Sequence, residues 1–212
     1  MARSSAAVAS PWSTPEERAR EREQKREAVL GTAVRFFNTK GFHATSLDDV
    51  ALALNVTKPT IYHYFASKDE VLFECVRRGL ESIRESATTA AAHGGTGRER
   101  LRTMLLDYAI VMTKDFGICV SRTQDTQLSP DSRTRFRALK REIDIIIRHV
   151  IEEGIADGSI KAGDPRLATF TVTGALNWIA HWYDPEGRMS AQDVAEGTVA
   201  MLLTGLSPGG KD

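Results

Sequence analysis

Between Ala44 and Glu70 the chain reads ATSLDDVALALNVTKPTIYHYFASKDE, and hydroxyl, phenol, imidazole and ammonium groups crowd its second half. Thr57, Lys58, Pro59, Thr60, Tyr62, His63, Tyr64 and Lys68 all fall in this short stretch. The set lacks a nucleophile beside a base, and it lacks the spacing of metal ligands. It suits a different chemistry, in which short cations and hydroxyls hold phosphate oxygens while groove-facing groups meet base edges. Enzymatic chemistry is not expected anywhere in the chain. There is no Gly-rich phosphate loop, HExxH or GxSxG, and His43, His63, His93, His149 and His181 are scattered without a carboxylate or nucleophile partner.

These side chains need a frame, and the same run supplies it. Ser46 reads as the N-cap of a helix whose third position, Asp49, completes a capping box. Leu47, Val50, Ala51 and Leu54 recur at helical spacing and give that helix one apolar face. Asn55 sits where the chain must turn, since Asn tolerates the left-handed conformation, and Val56 is expected to pack beneath the turn. A second helix opens at Thr57, with Pro59 among its first positions, where the missing N–H costs nothing. Lys58 is an alternative cap, because a residue before proline is pushed out of the helical region. Ile61 and Phe65 should pack on Leu47, Val50 and Leu54, leaving Thr60, Tyr62, His63 and Tyr64 outward. Two helices joined by so short a turn form a helix-turn-helix, whose second helix enters a major groove. Ser67 and Lys68 then cap a helix from Asp69 to about Leu80, whose N-terminal N–H groups, with Lys68, can hold a phosphate.

Composition permits this without announcing it. The 212 residues carry 28 Lys and Arg against 28 Asp and Glu, so the formal net charge is zero. Only a local field can serve a polyanion, and Arg18, Arg20, Arg22, Lys25 and Arg26 near the start of the first helix are interleaved with glutamates, the pattern of a solvated helix face. Cys75 and Cys119 are isolated thiols that read as small core residues. No apolar run approaches the ~20 residues of a membrane span, and the N-terminus lacks a signal-peptide core. A cytoplasmic protein without a cofactor is expected.

The rest of the chain reads as helix throughout. A first helix from about Pro15 to Lys40 carries Val29, Leu30, Ala33, Phe36 and Phe37 and stops at Gly41. After a Gly/Ala-rich loop over Thr88–Gly97, helices are expected near Arg98–Met112 and Ile118–Thr126. A long helix from about Asp131 to Glu153 is expected to end at Gly154. Further helices follow, from Asp164-Pro165 to about Tyr183 and from the Ser190/Asp193 capping pair to about Leu206. The fold class is all-α, about nine helices: a flexible arm over 1–14, a helix-turn-helix domain over 15–68, a helical ligand-binding and dimerisation domain over 69–206, and a tail over 207–212. Phe170, Gly174, Asn177, Trp178, His181 and Trp182, with Val194, Gly197, Thr198, Met201 and Leu202, mark the last two helices as a homodimer contact.

The stretch Ala28–Leu72 resembles the DNA-binding domain of the TetR family of transcriptional regulators. The resemblance rests on Ala33, Phe36-Phe37, Lys40-Gly41-Phe42, Thr45, Val50-Ala51, Val56-Thr57, Thr60-Ile61-Tyr62, Tyr64-Phe65 and Lys68, with Asn55 where the family usually has Gly. It implies an all-helical fold, double-stranded operator DNA as partner, and a contact set of Thr45, Ser46, Thr57, Lys58, Pro59, Thr60, Tyr62, His63, Tyr64 and Lys68. In the C-terminal half, ALNWIAHWYDPEGRMS (Ala175–Ser190) and GIADGSI (Gly154–Ile160) are similar to family members that control fatty-acid or sterol-ring degradation and respond to acyl-CoA thioesters. That implies a ligand-released repressor with a small hydrophobic or acyl-CoA effector. Met104, Tyr108, Met112, Phe136, Ile143, Trp178 and Trp182 would line its cavity between helices. Lys140, with Arg133, Arg135, Arg137, Arg141 and Arg148, would meet the anionic head. Trp178 and Trp182 suit the dimer contact equally well. A helical protein-interaction module without DNA binding, and a regulator of efflux responding to lipophilic drugs, are the alternatives.

Overall fold

The computed structural model describes residues 14–205. They form nine α-helices and one short 3-10 turn, with no strand among the described residues. The arm and tail expected over 1–14 and 207–212 lie outside the described residues, except Thr14, which caps α1 (Pro15–Lys40) in a capping box with Glu17. Gly41 ends α1 as its sequence predicts, at φ 83. The helix-turn-helix follows as α2 (Leu47–Ala53) and α3 (Lys58–Tyr62). Ser46 and Asp49 make the reciprocal capping bonds, and Asn55 turns the chain at φ 54, the only non-glycine with positive φ among the described residues. Thr57, not Lys58, is the cap of α3.

One expectation near the turn is corrected. Val56 is 40% exposed and not packed beneath the turn. Ile61 and Phe65, both fully buried, anchor α3 and the segment after it, with Tyr64 partly buried beside them. A five-residue helix can insert only one turn of side chains into a core, and those two fill the space.

Four helices form the middle of the larger half: α4 (Lys68–Ala91), α5 (Gly97–Met112), α6 (Asp115–Arg122) and α7 (Pro130–Ala156). Helix α4 continues eleven residues beyond the expected Leu80, because no breaker intervenes and Ile83, Ala87 and Ala90 prolong its buried stripe. The predicted stop at Gly154 also fails, since α7 runs through it. This glycine is there for close approach: Gly97, at the start of α5, packs directly on the Gly154 backbone, and a Cβ at Gly97 would overlap it. Asp157, just past α7, accepts from the Gly97 N–H at 2.7 Å and caps the same junction. Helices α8 (Pro165–Trp182), capped by Asp164, and α9 (Ala191–Gly205), begun by the Ser190/Asp193 pair, close the fold.

One continuous core links all of these, with α4 packed on α1, α5, α6 and α7. Both cysteines are buried in it. Burial pushes the Cys119 thiol up to about 12 and the Cys75 thiol well above its ordinary value. Neither forms thiolate near neutrality, as a core role predicts.

The glycine contact sets a clean comparison. Gly97→Ala is expected to cost roughly 1–3 kcal/mol through overpacking against backbone that cannot yield. Gly31→Ala, on α1 with open space around its would-be Cβ, should be neutral or stabilise by up to about 1 kcal/mol through helix propensity. Thermal unfolding followed by circular dichroism separates the two; equal melting temperatures would contradict the packing described.

Candidate nucleic-acid interface and ligand cavity

The reading face is built by α3 and its flanks. Thr57, Lys58, Pro59, Tyr62 and His63 are exposed, and Thr60 is half-buried. The Thr57 and Thr60 hydroxyls lie 2.9 Å apart. Tyr62, 46% exposed, holds its phenol in solvent on a helix with few side chains to cover it. Lys58 Nζ is 2.7 Å from the Asp48 carboxylate, whose hydrogen bond raises the lysine above its usual value. Both groups are half-exposed, so the pair exchanges readily for a phosphate. From behind, Arg26 of α1 donates to the Tyr64 carbonyl at 3.1 Å and lies 4.6 Å over the Phe65 ring, fixing the end of α3.

Other members of the expected contact set are committed to the protein itself. Thr45 is only 2% exposed and donates to the Gly41 carbonyl, so its hydroxyl stitches the α1–α2 turn and does not face a groove. Ser46 is occupied as the α2 cap. Tyr64 is half-buried against the core, with its ring edge-on to His63 at 5.1 Å. Lys68 Nζ sits 4.3 Å over the Phe42 ring, and burial lowers its pKa. At the start of α4 the Glu70 side chain folds back to the Ala66 N–H while Ser67 accepts from the Glu70 N–H, so part of the expected phosphate seat is filled by its own cap.

The larger half holds a cavity of about 600 Å³ walled by α4 to α8. Tyr108, Lys140 and Ile143 line it as the sequence predicts, together with Leu80, Val120, Ser121, Thr123, Arg141, Asp144, Phe170, Thr173, Gly174 and Asn177. Met104, Met112 and Phe136 do not reach it. They are sealed in the core at no more than 1% exposure, because large apolar side chains at the centre of a bundle close-pack. Trp178 and Trp182 are corrected in the opposite sense: at 62% and 48% exposed they lie on the outside of α8, with Trp178 stacked on His181 at 4.8 Å. Purely apolar reasoning missed Ser121, Thr123 and Thr173, and it put Phe170, Gly174 and Asn177 at the dimer contact, whereas all three line the cavity. The available signal was a polar face on α8, Thr173 and Asn177 four residues apart.

Residues 29–75 match the family described as bacterial regulatory proteins, tetR family, and residues 94–206 match the tetracyclin repressor-like C-terminal domain. The chain belongs to the TetR family. It is a DNA-binding transcriptional regulator, and regulators of this family bind operator DNA and dimerise. Among relatives, the transcriptional repressor KstR2 of Rhodococcus jostii is 25% identical over 186 residues, covering 86% of this chain and 91% of that protein. The solved structure of PfmR, a TetR-family regulator from Thermus thermophilus, is 30% identical with a TM-score of 0.78, covering 85% of this chain and 99% of PfmR. AibR, solved in complex with isovaleryl coenzyme A and operator DNA, is 25% identical with a TM-score of 0.76, covering 84% and 98% of the two chains.

In this TetR regulator several polar links join the reading half to the cavity walls, among them Asn38 Nδ2 donating to the Asp115 carbonyl of α6 at 2.9 Å. The Arg122 guanidinium donates to the Asn38 carbonyl near the end of α1 at 2.8 Å and to the Ala180 carbonyl on α8 at 2.8 and 3.2 Å. Its neighbours Ser121 and Thr123 line the cavity. At the start of α4, the Asp69 carboxylate accepts from the Ser129 N–H, the Ser129 hydroxyl and the Ser132 hydroxyl at 2.7, 2.9 and 2.7 Å, tying it to the start of α7. No helix among the described residues is long and apolar enough to cross a membrane.

The Asp69 latch makes a pH prediction. Burial alone would push this carboxyl up, but the hydrogen bonds from Ser129 and Ser132 outweigh it and hold it below its usual value. A carboxyl depressed by folding stabilises the fold above its unfolded value of about 3.9 and loses that contribution as pH falls through the folded value. Asp69→Asn should therefore cost roughly 1–2 kcal/mol at neutral pH, and its deficit against the native chain should shrink below about pH 4. Denaturant unfolding across that range checks it; a deficit that stays constant would mean the carboxylate charge plays no part.

Proposed function

We propose that this regulator is a repressor released from its operator by an acyl-CoA thioester whose acyl arm occupies the cavity. One observation carries the ligand class. Of the six cations expected to meet an anionic head, Arg133 is bonded to the Asp125 and Leu128 carbonyls, and Arg135, Arg137 and Arg148 pair with Asp131, Asp125 and Asp144. Lys140 and Arg141 have no carboxylate partner among the described residues, and these two stand on the cavity wall, exposed on α7. Lys140 Nζ rests only 5.1 Å from the Phe136 ring. Two unneutralised cations at the mouth of a cavity of ligand size suit a molecule with an apolar arm and a phosphate-bearing head. That AibR was solved with isovaleryl coenzyme A supports the same class, and the repressor KstR2 supports the sign.

The DNA-reading residues of this proposal are Thr57, Lys58, Pro59, Thr60, Tyr62 and His63, with Lys68 held in reserve over Phe42. The homodimer forms through the outer face of α8 and α9. Leu167, Trp178, Trp182 and Met201 are all largely exposed there, and Gly197 has open space beside it for a second backbone. An exposed apolar stripe of this kind marks an interface. Two-fold pairing then sets the two copies of α3 one DNA turn apart, ~34–36 Å. Ligand entry displaces α6 and α7, whose Arg122 and Ser129/Ser132 contacts pull on α1 and α4 and change that spacing. The shift in operator affinity can only equal the ligand's preference for one arrangement over the other.

Two measurements test these readings. Lys58→Ala should weaken operator binding and lower the slope of log affinity against log salt by about one; an unchanged slope would place Lys58 outside the interface. Octanoyl-CoA should lower operator affinity of the native chain by roughly 5–150-fold, and Lys140→Ala with Arg141→Ala should abolish the response while leaving affinity without ligand intact. An operator affinity indifferent to every acyl-CoA tried would end the ligand reading.

A further inference from the structure

The inner wall of the cavity is polar in a specific way. Ser121, Thr123 and Thr173 each give their hydroxyl proton to a backbone carbonyl, of Asn177, Cys119 and Thr169, at 2.9, 2.7 and 2.8 Å. Tyr108, almost wholly buried, donates its hydroxyl to Asn177 Oδ1 at 2.9 Å. Burial pushes that phenol above its ordinary value, so it keeps the proton it donates. The bond orients the amide: Asn177 Oδ1 faces Tyr108, and the two N–H groups of Nδ2 have no protein partner among the described residues, on a side chain that lines the cavity. Away from the rim cations, Asn177 therefore presents the donors still to be matched. Asn177 is half-buried, so water meets these donors in the empty protein, and covering them without returning an acceptor oxygen is costly.

We infer that Asn177, held in place by Tyr108, selects an acyl group that carries an oxygen, a ketone or a hydroxyl, along the part of its chain beyond the thioester. This rests on the acyl-thioester reading above and narrows it. A saturated chain fills the same space but strips water from the Asn177 amide and returns no acceptor. A ketone or hydroxyl oxygen takes the place of that water. The rim cations Lys140 and Arg141 treat both chains alike, because they meet the head group common to every CoA thioester. Affinity therefore comes from the rim, and discrimination from the amide. Sites that hydrogen-bond a ligand oxygen reject the analogue lacking it far more strongly than apolar pockets reject an extra methylene.

The test is calorimetric titration of the full chain with octanoyl-CoA and with octanoyl-CoA bearing a ketone or a hydroxyl near the end of its chain. The native protein should bind both oxygenated chains at least about tenfold more tightly than octanoyl-CoA. Asn177→Leu should lose that preference by weakening the oxygenated chains. Asn177→Asp keeps the size and the Tyr108 bond but replaces donors with acceptors, so it should keep the alcohol, which can donate, and lose the ketone. Thermal melting confirms that each variant is folded, and either variant alone carries the test should the other fail to fold. Equal affinity of the native protein for all three chains, or a preference that survives Asn177→Leu, overturns the inference while leaving the acyl-thioester reading standing. Absence of binding by any of the three, with Lys140 and Arg141 intact, overturns both.

Discussion

Helix α4 has to satisfy two cores with one rod. Its first turns bury Val71, Leu72 and Cys75, the last against the Leu30 carbonyl of α1, and its later turns bury Leu80, Ile83 and Ala87, with α5 and α7 packed on the helix. Close-packed interiors do not deform continuously, so a rod shared by two of them moves as a unit or not at all. The reading helix α3 packs on α2, and its buried Ile61 and the following Phe65 lean on this shared core. Where α3 points is thus set through α2 by α1, on which α4 packs, and where α4 points is set by what α7 and α6 do around the cavity. The Asp69 latch and the Arg122 bridge stand at two of the places where a displacement of the cavity walls crosses into the reading half. Both are made of hydrogen bonds to fixed partners, which hold direction where apolar contact alone would slide.

The balance of charge follows from the same economy. With a net charge of zero, the chain cannot draw DNA by its overall field, and the glutamates of α1 neutralise most of that helix's cations, as in the Lys25–Glu21 and Arg26–Glu23 pairs. Binding then has to come from a few well-placed groups. An exposed pair such as Lys58 with Asp48 contributes little in the free protein, and it keeps the lysine extended beside α3 until a phosphate replaces the carboxylate. Weak non-specific attraction is the consequence, and it leaves a larger share of the binding energy to contacts that distinguish one sequence from another.

What could be read from the chain alone was whatever depends on neighbours in sequence. Capping pairs are local, so Ser46 with Asp49 and Ser190 with Asp193 mark helix starts whatever surrounds them. Asn55 announces its turn because few residues accept its backbone conformation. The family-bearing pattern of Ile61, Tyr62, Tyr64 and Phe65 is likewise a matter of helical spacing. The errors arose where the outcome depends on distant residues. Gly154 looks like a stop, but its role is to admit Gly97, fifty-seven positions earlier in the chain. Thr45 looks like a phosphate contact until the Gly41 carbonyl is seen to take its proton. Met104, Met112 and Phe136 carry the right chemistry for a lipid tunnel, and nothing in their spacing tells a sealed core from a cavity wall. Trp178 and Trp182 share the period of the buried α8 residues but lie just outside the buried arc.

The cavity itself shows why apolar residue type is a poor guide to a ligand site. Where the wall is apolar throughout, side chains close the space, because empty volume forfeits contact on every side. A cavity survives in a helical bundle where polar groups on its wall can keep water until a ligand displaces it. Here the polar groups are the amide of Asn177, the hydroxyl oxygens of Ser121, Thr123 and Thr173, and the two cations of the rim. The hydroxyls are already bonded to carbonyls of their own helices or of α8, so they hold the walls apart without demanding a partner. The amide and the cations do demand partners, and they lie on α8 and α7, the helices joined through Arg122 and Ser129 to the reading half. Groups that are incompletely satisfied in the empty protein are the ones a ligand can change most, and their position on those two helices lets their satisfaction be felt at the DNA.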